Sequence, residues 1–174
     1  MLAIVITVLS VILDQVSKFL IVQNMELYSS KPFIPYVLSL YHTQNTGAAF
    51  SMFSDKRWVF MVFSAVSMVI IVWLLYKEYH RHPLLNIALS MVLGGGIGNM
   101  IDRVALGYVI DFIDFTLINF AVFNVADSFI TVGAFMLMGY LILDMVRDMR
   151  KSKKEKSQSD SDAVPTEEQE HDGT

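Results

Sequence analysis

Three aspartates stand where a carboxylate is costly. Asp127 is the only charged residue in the apolar run 121–143, and Asp111 is flanked by Val109, Ile110, Phe112 and Ile113, with Asp114 just beyond. Burial without a cation disfavours the ionised form of a carboxyl group. Two such groups brought together share a proton, so that one can activate water as a base while the other polarises a carbonyl as an acid. On residue chemistry alone Asp111 and Asp114 cannot be ranked as the partner of Asp127.

Other polar residues fall inside apolar runs. Asp14 and Lys18 are four apart, as are Gly95, Asn99 and Arg103 in succession, and Asn124 and Asp127 are three apart. These spacings place each set on one helix face. An ionisable side chain at mid-bilayer costs about 2.5–3.5 kcal/mol on insertion scales, so each asks for a reason. Asp14–Lys18 reads first as a structural pair and second as indirect support for a site, and Asp102 as a marker of a helix end. The glycines of 94–98, GGGIG, lie in an apolar run with no strand before them, which points to close helix packing rather than a nucleotide loop.

The elements that must carry these residues follow from composition. The chain has 174 residues, of which 54% are apolar and 17% charged, with a formal net charge of −4 and no cysteine. Mean hydropathy is +0.49. A soluble domain carries about 25% charged residues. Without cysteine there is no disulfide, thiolate nucleophile or Cys-based zinc site. His42, His80, His82 and His171 have no metal-ligand spacing, so no metal is expected, and no basic patch of the kind that binds nucleic acid is seen in the overall balance.

Four runs, 2–22, 58–76, 84–101 and 121–143, approach the ~20 residues that cross a bilayer core. They are continuous rather than alternating, which predicts helices. The first lacks a basic leader and a small-residue cleavage site and reads as a retained span. The other charges collect at one end: 147–174 holds 6 of the 13 basic and 8 of the 17 acidic residues. This predicts two regions, a four-helix transmembrane domain over 1–146 and a disordered charged tail over 147–174. Lys77, Arg81 and the basic residues after Asp144 place both termini in the cytoplasm. The longer connections, roughly 23–57 and 102–120, then face outward. In the first, 36–44 alternates like a short strand, and 48–53 forms an apolar patch suited to the membrane interface. At 1.5 Å per residue, Asp14 lies roughly 18 Å and Asn99 roughly 22 Å in from the cytoplasmic side, and Asp127 roughly 9 Å below the outer surface. Three helices thus bring polar residues to one layer, the outer third of the bilayer. The residues leave an acid-dependent enzyme and a proton-coupled carrier open, although the broken helices or repeats of a carrier are not visible. A noncatalytic adaptor has no use for converging acids, and no Ser–His arrangement supports a serine protease.

Five blocks sharpen this reading: DQVSK at 14–18, NTGAAF at 45–50, GGGIGNMIDR at 94–103, VIDFID at 109–114 and FNVADS at 123–128. In content, order and spacing they resemble bacterial lipoprotein signal peptidase, or signal peptidase II, a membrane aspartyl protease family. Ser17 and Ile110 are conservative variants within their blocks, and the interval between the last two blocks is slightly short. The resemblance implies that Asp111 and Asp127 are catalytic and Asp114 is not. It implies support or substrate contact from Asp14, Lys18, Asn45, Gly47, Gly98, Asn99, Arg103, Asn124 and Ala126. It further implies four transmembrane helices with a small extracytoplasmic β-cradle and a short interfacial helix. The implied substrate is a diacylglyceryl-modified prolipoprotein cut just before its lipidated cysteine, in the bacterial cytoplasmic membrane. No metal or cofactor is implied, and a monomer is expected among membrane lipids with no nucleic-acid partner.

Overall fold

A computed structural model describes residues 1–47, 57–78, 82–118 and 120–162. The order of elements is α1 (Leu2–Asn24), β1 (Ser30–Ile34), β2 (Leu38–Asn45), α2 (Arg57–Lys77), α3 (Pro83–Ala105), β3 (Val109–Asp114) and α4 (Val125–Asp162). Three helical stretches, Leu2–Asn24, Pro83–Ala105 and Val125–Glu155, are long and apolar enough to cross a membrane, and Met61–Lys77 in α2 is a shorter apolar stretch. The chain is a multi-pass membrane protein, with four helices and a small open sheet among the described residues. The apolar patch at 48–53, and with it the expected interfacial helix, lies outside the described residues.

The helices are built with polar groups inward. The buried residues of α1 are Ser10, Asp14, Lys18 and Ile21, a stripe at spacings of four, four and three, while Leu9, Leu13, Phe19 and Leu20 face outward and exposed. Lipid is as apolar as leucine, so these side chains gain nothing by hiding. Helix association then rests on close packing and interhelical hydrogen bonds. The α3 glycines supply the close approach. A methyl group at Gly95 would strike the Ala126 carbonyl of α4, and one at Gly94 would lie 2.6 Å from Ser10 Cβ of α1. At Gly96, by contrast, it would meet only the flexible Met68 side chain of α2, at 3.5 Å. Near the helix ends Thr7 Oγ1 of α1 donates to the Ser90 carbonyl of α3 at 3.2 Å. His82 caps α3 by accepting from the Leu84 N–H, with Pro83 in the first turn, where its missing N–H costs nothing.

The sheet is antiparallel in the order β1-β2-β3. The expected strand at 36–44 is β2. β1 carries no sequence signal because it is an exposed edge strand holding Pro32, so neither face of it alternates. β2 bulges between Leu40 and Thr43, which sets Thr43 opposite Asp111 and Ser39 opposite Asp114. An apolar cluster of Ile21, Met25 and Phe112, with Leu40, Ile113 and Val125, fastens the sheet to the end of α1 and the start of α4. The His42 ring nitrogen Nδ1 lies 3.0 Å from the Met25 carbonyl and ties β2 to the same helix end.

Two expectations need correction. α4 begins at Val125, four residues after its apolar run does, because Phe123 first pairs with Ile113 of β3 and Asn124 caps the helix. Asp127 therefore sits in the first helical turn, shallower than its place in the run implied. The charged stretch after residue 147 is helical as far as Asp162 rather than irregular from its start. A preformed helix spares it the cost of nucleation, and its Arg, Lys, Met and Glu residues propagate a helix well. Residues 163–174 lie outside the described part.

Gly95→Ala should lower the thermal unfolding midpoint in detergent by several degrees, as overpacking against backbone costs about 1–3 kcal/mol. Gly96→Ala should leave the midpoint within about a degree or two, since surface changes stay near ±0.5 kcal/mol. Equal effects would contradict this packing.

Candidate active site

The polar stripes of α1, α3 and α4 meet in one hydrogen-bonded cluster. At its centre the Lys18 ammonium donates to Asp14 Oδ2 at 2.8 Å and Asn99 Oδ1 at 3.0 Å, and contacts Asp102 Oδ2 at 3.0 Å. An ammonium has three N–H donors, and three acceptors surround this one. Lys18 is 2% exposed, Asp14 0% and Asp102 3%. Gln15 bridges the two carboxylates, its Nε2 reaching Asp14 Oδ2 at 3.1 Å, Asp102 Oδ1 at 3.0 Å and the Gly98 carbonyl at 3.2 Å.

Each acid also grips a backbone amide next to another aspartate. The Ala126 N–H donates to Asp14 Oδ1 at 2.9 Å, immediately before Asp127. The Ile110 N–H donates to Asp102 Oδ2 at 3.1 Å, immediately before Asp111. The Asp14 contact needs both small neighbours. A methyl at Gly98 would sit 2.5 Å from Asp14 Oδ2, and Ala126 is fully buried beside it.

Asn124 joins the two aspartates. Its Nδ2 donates to Asp111 Oδ1 at 2.6 Å and to Asn99 Oδ1 at 3.0 Å. Its Oδ1 accepts from the Asp127 N–H at 2.9 Å, while Asp127 Oδ2 accepts from the Asn124 N–H at 3.2 Å. This reciprocal pair is a capping box with Asp in the usual Glu position. Asn99 Nδ2 donates to Asp127 Oδ1 at 2.8 Å, and Asn45 Nδ2 donates to Asp111 Oδ2 at 2.9 Å. Asn45 Oδ1 accepts from the Gly47 N–H at 2.9 Å in a tight turn, where Gly47 adopts φ 97, a left-handed backbone that suits glycine. Burial pushes the Asp111 carboxyl up to about 6; the Asn45 and Asn124 hydrogen bonds oppose the rise, and the nearby Asp127 charge adds to it.

All the anticipated site residues join this network directly or through one bond. Arg103 is the most peripheral: it is half-buried and donates to the Asn99 carbonyl at 3.4 Å. Asp114, three residues along β3 from Asp111, points to the opposite face of the strand. Gln15 and Asp102 were missed as site residues. Asp102 follows Asn99 by three residues, so its helix face was readable, but its position at the end of an apolar run disguised it. Among the described residues, no group of three or more His, Cys, Asp or Glu side chains is placed to hold a metal ion.

A buried carboxyl group on a strand and a half-buried one on a helix are thus bonded to one shared asparagine. The family model described as signal peptidase (SPase) II matches residues 6–143. The chain belongs to the signal peptidase II family. The lipoprotein signal peptidase of Enterococcus faecalis is 49% identical over 139 residues, which span 80% of this chain and 86% of that protein. That of Brevibacillus brevis is 46% identical over 141 residues, 81% of this chain and 92% of the relative. A solved bacterial membrane enzyme superposes with a TM-score of 0.77 at 34% identity, covering 82% of this chain and 88% of that one. A second superposes at 0.75, also with 34% identity, over 80% and 91%. Members of the signal peptidase II family are intramembrane aspartic endopeptidases that remove signal peptides from lipid-modified prolipoproteins, and this chain is one of them.

Lys18→Met strips the cation from two buried carboxylates and should destabilise the fold by about 3–5 kcal/mol. The check is thermal unfolding in detergent, and an unchanged midpoint would mean the ion cluster does not hold the helices.

Proposed function

We propose that Asp111 and Asp127 are the catalytic pair of this signal peptidase, acting on a water held between them. The observation that carries this reading is the double attachment of Asn124, which holds Asp111 through its side chain and Asp127 through a capping box. Asp111, whose burial favours the neutral form, holds the proton at rest. Ionised Asp127 takes a proton from the water as its oxygen attacks the scissile carbonyl carbon. Asp111 donates its proton to the carbonyl oxygen, giving a neutral tetrahedral diol. Collapse of the diol breaks the C–N bond, with Asp127 returning its proton to the leaving amine and Asp111 recovering one from a diol hydroxyl. The products are a signal peptide with a new carboxyl terminus and a lipoprotein beginning with its modified cysteine.

The substrate is a prolipoprotein whose cysteine carries a diacylglyceryl group. Its acyl chains stay in lipid while the peptide bond just before the cysteine enters the site. Asn45, Asn99 and Arg103 line the approach and orient the substrate backbone, and the Lys18 cluster positions the pair. The enzyme works as a monomer in the bacterial cytoplasmic membrane. Both termini lie in the cytoplasm, and the site lies in the outer third of the bilayer. The Lys and Arg residues at 77, 81 and after Asp144 support that orientation.

On a purified lipidated precursor, Asp111→Asn and Asp127→Asn should each abolish cleavage in a gel-shift assay while the protein still folds. Asp114→Asn should keep substantial activity. Processing by Asp111→Asn would end the assignment. The pH profile adds a finer test. The competent form requires neutral Asp111, so activity should decline as pH rises through its pKa. Asn45→Ala removes a bond that favours the charged form, so the declining limb should move to higher pH; a limb that stays put or moves lower contradicts the role of Asn45. The chain has no native cysteine, so Tyr36→Cys and Ser152→Cys can report orientation. An impermeant maleimide on intact cells should label only the first.

A further inference from the structure

We propose that the basic face of the C-terminal extension of α4 is a binding site for the headgroups of anionic phospholipids. The extension is helical as far as Asp162. Arg147, Arg150, Lys151 and Lys154 fall at spacings of three, one and three. At 100° per residue they occupy one sector about 100° wide, with Lys153 about 60° to one side of it. Together the five line a single shallow depression on the helix surface.

Three observations favour lipid over simple solvation. First, the cations are segregated. From Arg147 to Glu155 they outnumber the acids five to two, and those acids, Asp148 and Glu155, lie at the flank of the sector. Second, all five cations are exposed, and none of them takes part in the buried ion pairs of Lys18 with Asp14 and with Asp102. Third, the basic face starts four residues after Leu143, the last residue of the apolar run. At 1.5 Å per residue, Arg147–Lys154 covers about 10 Å of helix. One headgroup layer is about 5–8 Å thick, so the face runs from its outer edge into the water just beyond, within reach of the phosphates for long lysine and arginine side chains. A phosphodiester there can accept two parallel N–H bonds from an arginine and a point charge from a lysine one turn away.

The test uses the full purified chain in neutral detergent, with phosphatidylglycerol, phosphatidylcholine or inorganic phosphate as the probe. Wild type should retain phosphatidylglycerol in native mass spectrometry and retain little phosphatidylcholine. Combining Arg147→Gln, Arg150→Gln, Lys151→Gln and Lys154→Gln should weaken that retention at least about tenfold, since each cation near an anionic surface contributes on the order of 1 kcal/mol. Precursor cleavage in the same detergent should stay at the wild-type rate, which shows that the variant folds. Asp148→Asn with Glu155→Gln should strengthen retention. Should the quadruple variant misfold, rising salt on wild type should release phosphatidylglycerol selectively. Equal retention by wild type and variant, or salt-independent retention, would overturn the proposal. Displacement by inorganic phosphate at matched concentration would overturn its lipid part and leave a free-oxyanion site.

Discussion

A lysine ammonium buried between two carboxylates is the interaction on which the rest of this structure leans. Taking three charges out of water costs several kcal/mol each unless every lone pair and proton finds a partner. Here the three N–H groups of Lys18 meet Asp14, Asp102 and Asn99; the remaining carboxylate oxygens accept from Gln15 and the Ala126 amide, and Asp102 Oδ2 accepts from the Ile110 amide as well. The amides give the cluster its consequence. One belongs to Ala126 and the other to Ile110, so each anchor is one peptide bond from an aspartate of the site. The cluster therefore fixes a strand and a helix, elements with no direct covalent reason to hold a set separation, against one common charge.

The same economy recurs at the start of α4. A helix N-terminus leaves backbone N–H groups without partners, and a capping box satisfies two of them. Asn124 and Asp127 form that box, and both are also site residues. The carboxylate is thus aimed by the hydrogen bonds that start its helix, at the positive end of the helix dipole. Asn124 has donors left over after capping, and it spends them on Asp111 and Asn99. A change at Asn124 would frustrate helix initiation, the orientation of Asp127 and the hydrogen bonding of Asp111 together, so its effects cannot be divided among them.

The parts legible in the sequence were those with a long-range signal. Spans of apolar residues announced the helices, and polar residues at helical spacing inside them announced α1, α3 and α4 as neighbours. The alternation of β2 was visible because one of its faces is covered. β1 was silent because an exposed edge strand with Pro32 has no covered face to pattern. The start of α4 was misplaced because Phe123, apolar like the helix that follows, is a partner of β3, and hydropathy cannot tell a strand partner from a helix turn. Gln15 and Asp102 were overlooked for a related reason: each was read as a neighbour or a terminus rather than as a bond-maker, and only three-dimensional proximity reveals that Gln15 spans the two acids. The charged stretch after 147 was read from composition, which measures the inability to form a core and says nothing of a helix already under way.

Lipid exposure explains why the site can be so polar and still be held. On α1 the side chains facing outward are aliphatic or aromatic, and the buried ones are Ser10, Asp14, Lys18 and Ile21. In water such a helix would turn over. In a bilayer an outward-facing Lys18 would lose every partner it has, so the polar stripe is what selects the rotation of the helix. Close contact at Gly95 and Gly98 then brings α4 and α1 near enough for those bonds to be short. Of the two acids proposed to react, Asp127 sits in a first helical turn and Asp111 on a strand beyond α3, whereas Lys18 lies six residues before the end of α1, about 9 Å along the helix. On the proposed assignment the fully satisfied charges lie further from the helix end than the acid pair, which leaves the pair nearer to water and to an incoming peptide bond.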